Sequence, residues 1–267
     1  MTRIVHISDL HFGREDHELL LPLRQAIQAA APDLVAVSGD LTQRARPGQF
    51  RDARAFLDGL GLPWIAVPGN HDIPLDEFWH RAVHPFRRYR KAICGDLAPR
   101  WSNDLVNIEA LNTADPLAWQ RGRVRRRQLR RASGTFREAR NGAVNVVMAH
   151  HPFEHGPDVE KRLMKHASRA VEHLAEAGAD VILSGHLHRW HAEAFLSRKV
   201  GARVLQVHVG TGLSTRRRGQ ENDFALLAIA PGQIEVTRMV AEREEFVARS
   251  VTRFRREDEV WLRAEEE

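Results

Sequence analysis

The chain has 267 residues, of which 43% are hydrophobic and 28% charged, and its formal net charge at pH 7 is +5. This length is enough for one large domain, and no linker, low-complexity stretch or internal repeat divides it. No apolar run approaches the ~20 residues of a membrane-spanning helix, and the single cysteine, Cys94, excludes an internal disulfide. Because the first residues show no secretory signal, the chain is expected to be cytoplasmic.

The basic surplus suggests a polyanionic partner such as nucleic acid, but the distribution of the basic residues argues against it. Only four of the 40 basic residues are lysine, a bias that GC-rich coding produces without selection for binding. Arginines crowd between residues 121 and 140, where few aromatic residues interleave with them to stack on bases. The pattern favours a solvated basic helix over a nucleic-acid surface.

Hydrophobic periodicity in the first third of the chain predicts alternating strands and helices. Apolar runs at residues 4–7, 34–37 and 64–67 have the length of strands, and helical patterns separate them at residues 18–30 and 47–60. This order is typical of βαβ units in a parallel sheet. The polar residues after each strand are therefore expected at the carboxyl edge, where open α/β sheets bind ligands.

The rest of the chain is less regular. Residues 78–89 are aromatic and basic, and they fit a helix, a cap over the site, or both. Strands are predicted at residues 105–111, 144–149 and 181–183, with a helix at 159–177. Segments at 191–196, 204–209, 224–229 and 234–240 are expected to be antiparallel strands that complete a second sheet. We place the main domain at residues 1–240, and the charged extension at 241–267 fits a helix or a strand.

Five short segments at predicted strand ends carry side chains that bind metal ions. They are Asp9-Leu10-His11, Gly39-Asp40, Gly69-Asn70-His71-Asp72, His150-His151-Pro152 and Gly185-His186-Leu187-His188. Carboxylate and imidazole groups two residues apart are expected to point the same way on an extended backbone. Glycine before three of these motifs permits close backbone approach. Each segment alone is a weak indication, but their common position predicts that they converge on one centre.

The order of these segments resembles the calcineurin-like metallophosphoesterase family, and the resemblance covers most of the chain. Within that family the chain is similar to the bacterial class III cyclic-nucleotide and glycerophosphodiester phosphodiesterases, which share the Gly-Asn-His-Asp and His-His-Pro sequences. Residues 210–214, with Arg216–Arg218 and Asn222 after them, also look like that subgroup. The resemblance implies an α/β fold, a four-layer α/β/β/α sandwich with two mixed sheets.

The resemblance further implies two divalent metal ions as cofactors. It places Asp9, His11, Asp40 and His188 around one ion and Asp40, Asn70, His150 and His186 around the other, with Asp40 shared. His150 is preferred to His151 because the family's ligand stands two residues before proline. Mixed oxygen and nitrogen ligands suit manganese, iron, zinc, cobalt or nickel, so the sequence does not identify the metal.

Charge balance supports a phosphate ester as the substrate independently of the family. Two divalent cations carry four positive charges, and Asp9, Asp40 and a bridging hydroxide remove three, which leaves the centre positive. His71 is the candidate general acid for the departing alkoxide because it stands beside Asn70, and the resemblance gives it the same role. Asp72 either orients a neighbour or forms an Asx-turn or helix N-cap.

The sequence therefore predicts a hydrolase in which a metal-bridging hydroxide cleaves a small phosphodiester. Asn70 and His71 are expected to contact the substrate, and Arg216 fits either a substrate contact or an exposed turn. A diester is preferred because its single negative charge matches the modest positive surplus. A DNA or RNA nuclease and a phosphomonoesterase are the alternative enzymes, and a metal-binding scaffold without turnover is the alternative from another class. Phe153 stands where many enzymes of this family have a second proline. This difference affects the expected substrate contacts rather than the metal ligands.

Overall fold

The first third of the chain folds as its hydrophobic pattern predicts. The computed structural model describes residues 1–140, 142–155, 159, 161–196, 203–217, 219–258 and 260–264. Three parallel strands, β1 (Thr2–Ile7), β2 (Leu34–Val37) and β3 (Trp64–Ala66), alternate with two helices, α1 (Leu20–Ala29) and α2 (Pro47–Asp58). A 3-10 turn, His17–Leu19, precedes α1. Proline suits the first position of α2 because an amide there would have no partner in the helix.

The middle of the chain builds most of a second sheet. Residues 78–89 form α3 (Phe78–Val83) and the start of α4 (Arg87–Ala92), and β4 (Arg100–Ser102) and β5 (Val106–Leu111) follow. Helix α5 (Arg126–Arg137) leads to β6 (Val144–Ala149), and α6 (Ala167–Glu176) leads to β7 (Val181–Ser184). The helix expected at 159–177 begins only at Ala167, after His166 adopts a left-handed φ of 69°. Residue 160 of that segment lies outside the described residues.

Contrary to the prediction, the C-terminal strands do not all join the second sheet. Strands β8 (His191–Leu196) and β9 (Arg203–His208) do, and β9 runs parallel to β7. Strands β10 (Asp223–Ala230), β11 (Gln233–Glu242), β12 (Glu245–Glu257) and β13 (Val260–Arg263) extend the first sheet as antiparallel neighbours, beginning from β1. The prediction is wrong because alternation identifies a strand but not the edge on which it pairs.

Two mixed sheets pack face to face. Their strand orders are β13-β12-β11-β10-β1-β2-β3 and β4-β5-β6-β7-β9-β8. Apolar side chains from both sheets fill the layer between them, among them Ile4, Val146 and Leu183. Helices α1 and α2 cover the outer face of the first sheet, and α5 and α6 cover the outer face of the second. The four-layer α/β/β/α sandwich is thereby confirmed.

Strand β13 of the first sheet contacts the second sheet at the end opposite to the carboxyl end of β7. The indole nitrogen of Trp261 in β13 donates a hydrogen bond of 2.9 Å to Asp180 Oδ1. Asp180 precedes β7 and therefore lies at the end of that strand opposite to His186. Of the helices in the described part of the chain, none has both the length and the apolar composition that crossing a bilayer requires.

Candidate metal centre

The carboxyl ends of five parallel strands bring the five sequence motifs together. Asp9 and His11 follow β1, Asp40 follows β2, Asn70 follows β3 in a 3-10 turn (Asn70–Asp72), His150 follows β6, and His186 and His188 follow β7. All seven side chains are buried. Strands β1 to β3 belong to the first sheet and β6 and β7 to the second, so the centre lies where the ends of both sheets meet. This is the edge at which parallel sheets bind ligands.

The sequence pattern predicts an extended backbone at this centre, but the backbone there is not extended. A positive φ between 49° and 70° is found at Asp9, His11, Asp40, His186 and His188. Side chains two residues apart converge because the chain turns at each of them, so the prediction of an extended backbone is wrong. Such a conformation costs a non-glycine residue about 1–3 kcal/mol, and it clusters at functional sites.

One group of side chains surrounds Asp9. His188 Nε2 lies 3.1 Å and His11 Nε2 3.6 Å from Asp9 Oδ1, and the two imidazole nitrogens are 3.2 Å apart. The Ser8 hydroxyl and the His186 amide donate to the other carboxylate oxygen at 2.7 and 2.9 Å. These bonds orient Oδ1 toward the two histidines. Apart from the two histidines, Oδ1 has no partner among the described residues.

A second group surrounds His150. Its Nε2 lies 3.4 Å from Asp40 Oδ2, 3.3 Å from Asn70 Oδ1 and 3.3 Å from His186 Nδ1. The other ring nitrogen, Nδ1, lies 2.9 Å from the Ser38 carbonyl oxygen. Because a carbonyl oxygen only accepts, Nδ1 carries the proton, and Nε2 is the nitrogen that remains to bind a metal ion.

Asp40 lies between the two groups. Its Oδ2 is 3.8 Å from His11 Nε2 and 3.4 Å from His150 Nε2, and its Oδ1 accepts a bond of 2.8 Å from the His71 amide. Gly69 packs directly on this residue, and a Cβ at Gly69 would collide with the Asp40 carboxylate and backbone amide. Glycine is therefore required at position 69 for Asp40 to keep its place.

His151 contributes no free ring nitrogen to the centre. One of its nitrogens lies within 4.8 Å of those of His150 and His186, which by distance alone would make it a ligand candidate. However, Nδ1 bonds the Thr113 hydroxyl and Nε2 bonds the Gln120 carbonyl, both at 2.9 Å. Burial and the neighbouring His150 lower the pKa of His151 to about 3. We therefore regard His151 as a neutral structural group.

The buried carboxylates make this centre electronegative. Burial alone would raise the pKa of Asp9 and of Asp40, but nearby histidines, chiefly His188 and His150, hold both values well below the ordinary range. In return, Asp40 outweighs the effect of burial on His150 and raises its pKa to about 9. The cluster thus favours positive charge at its middle. Carboxylate and imidazole together are a donor set that suits divalent transition metals.

His71 lies beside this cluster, with both ring nitrogens in defined contacts. Its Nδ1 donates to the Gln43 carbonyl at 2.9 Å, and its Nε2 accepts from the Arg216 guanidinium at 3.2 Å. Burial lowers the pKa of His71, and the charges of His11 and Arg216 add to that effect. The Arg216 carbonyl also accepts from His188 Nδ1 at 2.9 Å. Arg216 is thus part of the site rather than of an exposed turn.

Asp72 connects two loops of the site. Its carboxylate accepts hydrogen bonds of 2.9 to 3.2 Å from the amides of Leu41, Thr42 and Gly69 and from the Thr42 hydroxyl. Burial and the nearby Asp40 raise the pKa of Asp72 to about 7. The structure supports the first alternative for Asp72, in which it orients neighbouring groups. Its hydrogen bonds connect the loop that carries Asp40 to the loop that carries Asn70.

Lys161 and Gln43 also belong to the site and lie outside every sequence motif. Lys161 Nζ donates to the His186 carbonyl at 3.1 Å and lies 3.5 Å from His186 Nε2. Gln43 positions His71 through its backbone carbonyl. Sequence reasoning misses both, because a carbonyl is common to all residue types and Lys161 comes from an irregular segment before α6.

Several other residues take no part in the centre. Phe153 is fully buried in the outer core of the second sheet, so it packs rather than contacts substrate. His208 is buried against the Ser184 hydroxyl at 2.7 Å, and Cys94 is a half-buried free thiol. Arg217 is exposed, and Arg218 lies outside the described residues.

Comparison with known proteins identifies a family and two partial relatives. The model of the calcineurin-like phosphoesterase family matches residues 2–190. A glycerophosphodiester phosphodiesterase of Enterobacter lignolyticus is 35% identical over 26% of this chain and 29% of that protein. A probable cyclic nucleotide phosphodiesterase of Synechococcus is 35% identical over 27% of this chain and 31% of that protein. The aligned segments span less than a third of either relative.

Solved structures of low sequence identity share the fold. A dimetal phosphatase from Danio rerio has a TM-score of 0.62 at 14% identity, and the superposition covers 92% of this chain and 98% of that chain. A purple acid phosphatase from yellow lupin, Lupinus luteus, has a TM-score of 0.66 at 12% identity, and the superposition covers 92% of this chain and 52% of that chain. At these identities the likeness shows the fold alone.

Proposed function

Because the chain belongs to the calcineurin-like phosphoesterase family, we propose that it hydrolyses small phosphodiesters, of the cyclic-nucleotide or glycerophosphodiester type, at a dinuclear metal centre. The observation that carries the proposal is the position of Asp40, whose carboxylate lies between His11 and His150. A carboxylate between two ligand groups could be shared by a pair of metal ions. The two relatives described as phosphodiesterases support the choice of a diester.

The proposal assigns the cluster to two ligand sets, and the distances support the assignment. Asp9, His11, Asp40 and His188 form one set, and Asp40, Asn70, His150 and His186 form the other. The electronegative middle of the cluster and the orientation of Asp9 Oδ1 both fit cations, and the donor set suits manganese, iron, zinc, cobalt or nickel. Divalent cations held there would acidify a water molecule and withdraw charge from the phosphoryl oxygens.

His71 and Arg216 act on the ester itself in this proposal. Since Nδ1 of His71 is held as a donor to the Gln43 carbonyl, Nε2 is the nitrogen that exchanges a proton with the departing alkoxide. Nε2 must take up a proton before it can donate one, because it accepts from Arg216 in this structure and burial lowers the pKa of His71; the protonated ring is then a strong acid toward the alkoxide. Arg216 reaches the same nitrogen, and in this proposal its guanidinium binds a phosphoryl oxygen together with Asn70.

The substrate class is tested by assaying the purified protein against four esters. These are a chromogenic diester, a chromogenic monoester, cyclic nucleotides and single-stranded DNA, each with manganese and with a chelator. Metal-dependent cleavage of the small diesters is the expected result. Preference for the monoester or for DNA would replace the proposal with a phosphomonoesterase or a nuclease. Metal binding without cleavage of any ester would indicate a scaffold.

The shared role of Asp40 is tested by Asp40→Asn. Loss of the carboxylate charge between the two ligand groups is expected to prevent binding of a metal pair and to lower turnover by about a hundredfold or more. Elemental analysis of the purified protein measures the first effect, and diester hydrolysis measures the second. Asp58→Asn, at a half-exposed carboxylate of α2, is the matched control. A full metal pair in Asp40→Asn would contradict the assignment.

A further inference from the structure

Large apolar side chains that face solvent are concentrated in one region. Within the described residues, five of the seven exposed large apolar side chains lie on α3 or on the loop at residues 115–121. We call these five the apolar rim: Phe78, Trp79, Val83, Leu117 and Trp119. Trp79 is 76% exposed and Leu117 83%, so no part of the described chain covers them. Exposed apolar side chains grouped on neighbouring elements are typical of an interaction site.

A buried arginine holds the apolar rim in place. Arg81 of α3 donates to the carbonyls of Pro116 and Ala118 at 2.8 and 2.6 Å, and to that of Pro74 at 3.3 Å. Its guanidinium also lies over the Trp119 ring, 5.9 Å from the ring centroid. These contacts clamp α3 to the loop, so the rim presents its side chains from a fixed backbone.

The apolar rim borders the metal centre. The Gln120 carbonyl, at the end of the loop, accepts a hydrogen bond of 2.9 Å from His151, the neighbour of the proposed ligand His150. On the other side, Arg81 bonds the carbonyl of Pro74, which follows Asp72 closely in the chain. Whatever binds the rim therefore lies next to the site of hydrolysis.

A basic cavity adjoins the rim along α3 and α4. It has a volume of about 440 Å³, and no acidic residue is found among its described lining residues; its basic ones are His80, His84, Arg87, Arg88 and Lys91. Residues 74–92 hold five arginine or lysine residues against two acidic ones, a net charge of +3. One of the two acids, Glu77, pairs with two of the lining residues, Arg88 at 2.7 Å and His80 at 3.0 Å, so the positive charge of the lining rests mainly on Arg87 and Lys91. The cavity therefore fits an anionic group.

We propose that the apolar rim and the basic cavity together dock the protein on an anionic phospholipid surface. Tryptophan and leucine side chains enter the interfacial region of a bilayer, and basic side chains beside them bind headgroup phosphates. The charge argues against a second copy of this chain as the occupant, because two such faces would bring positive segments together. Leu117 and Val83 argue against single-stranded nucleic acid, whose bases stack on aromatic rings rather than on aliphatic groups.

Vesicle co-sedimentation tests the proposal. The protein is expected to bind phosphatidylcholine vesicles that contain phosphatidylserine, and not pure phosphatidylcholine vesicles, and salt is expected to weaken the binding. The double variant Trp79→Ser/Leu117→Ser should lower the partition coefficient about tenfold. Arg87→Gln/Lys91→Gln should lower it about fivefold for each charge removed.

Matched controls separate these effects from general changes in the surface. Leu21→Ser replaces a 59% exposed leucine on α1, and Arg253→Gln/Arg255→Gln removes two exposed charges from β12, toward the opposite edge of the first sheet. Both controls are expected to bind vesicles as the unmodified protein does. Equal losses in the controls and in the rim variants would overturn the proposal.

Three further results would also overturn it. One is the absence of binding to phosphatidylserine vesicles. Another is a dimer that the Trp79→Ser/Leu117→Ser variant converts to a monomer, measured by light scattering, since the rim would then cover a second copy. The third is single-stranded DNA binding that this variant loses. All variants should hydrolyse a soluble diester normally without vesicles, so failure of docking is distinguishable from failure of the proposed hydrolysis.

Discussion

The histidines of this centre differ in which ring nitrogen is engaged, and that difference decides what each can do. His150 and His71 both donate from Nδ1 to a backbone carbonyl, which directs Nε2 of each toward the centre. His151 stands next to His150 in the sequence but bonds protein groups through both nitrogens. Residue type alone therefore does not identify a ligand, because the partner of the second nitrogen fixes the tautomer and the direction of the first.

Replacing His71 tests the role of its ring separately from the role of its backbone. His71→Asn keeps the amide that bonds Asp40, so the metal content should stay intact. Turnover of a diester with an alkoxide leaving group should fall about a hundredfold to ten-thousandfold, the usual contribution of a general acid. With a nitrophenolate leaving group the loss should be much smaller, because that group departs without a proton.

Steady-state kinetics on the two diesters measure this difference, and metal analysis accompanies them. His17→Asn, at a largely exposed histidine, is the control and should behave as the unmodified protein. Loss of metal from His71→Asn, or an equal loss of turnover on both diesters, would contradict the role of His71 as the proton donor.

At the scale of the elements, the loops after the strands depend on close backbone packing. Gly69→Ala places a Cβ against the Asp40 carboxylate and amide, so one loop must move. Overpacking of this kind costs about 1–3 kcal/mol, and here it also displaces the residue shared by both ligand sets. We expect lower stability in urea and weaker metal binding by titration calorimetry. Gly95→Ala meets no atom within 4 Å and should change neither; a normal metal affinity in Gly69→Ala would show that Asp40 tolerates the shift.

The sequence predicts the strands well but predicts their partners poorly. Apolar runs give β2 and β6 to the residue and β1 and β7 to within two residues, since buried parallel strands are continuously hydrophobic. The antiparallel hairpin of β10 and β11 is also visible as a pair of strands, yet its pairing with β1 is a long-range choice that local alternation does not encode. The extension at 241–267, which fits a helix or a strand, forms β12 and β13 within its described part.

The part of the site that follows from the parallel strand topology could be predicted from the sequence. Parallel strands put their carboxyl ends on one edge, so the residues after β1, β2, β3, β6 and β7 had to meet. The left-handed backbone at Asp9 and Asp40 could not be derived, because it is imposed by the surrounding loops rather than by residue preference. Contacts such as Lys161 with His186 and Arg81 with the rim likewise depend on the tertiary structure.

At the scale of the whole molecule, histidines buried without charge couple stability to pH. Burial lowers the pKa of His6 and of His208 to about 3, although each ring bonds a serine hydroxyl. Below a pH of about 6.5 the unfolded chain binds a proton at each histidine that the folded chain excludes. Stability therefore falls as the pH drops from about 6.5 toward 3, by up to about 1.4 kcal/mol per pH unit for each residue.

His208→Gln is expected to remove one of these two contributions. The slope of the free energy of unfolding against pH, measured in urea with a chelator between about pH 6 and pH 4, should fall by about 1.4 kcal/mol per pH unit. Ser184→Ala removes the hydrogen-bond partner but keeps the titrating ring, so it should lower stability and preserve the slope. An unchanged slope in a folded His208→Gln protein would refute the linkage.

The position of β1 separates the order of synthesis from the order of folding. Among the strands of the first sheet, β1 is made before the others and β2 follows it soon, but the other neighbour of β1 is β10, which pairs Thr2 with Ile229. On the ribosome, the edge of β1 that pairs with β10 therefore stays unpaired until the chain has been made as far as β10. An unpaired edge invites association with other strands. The first sheet is thus completed only when β10 and the hairpins that follow it have been made.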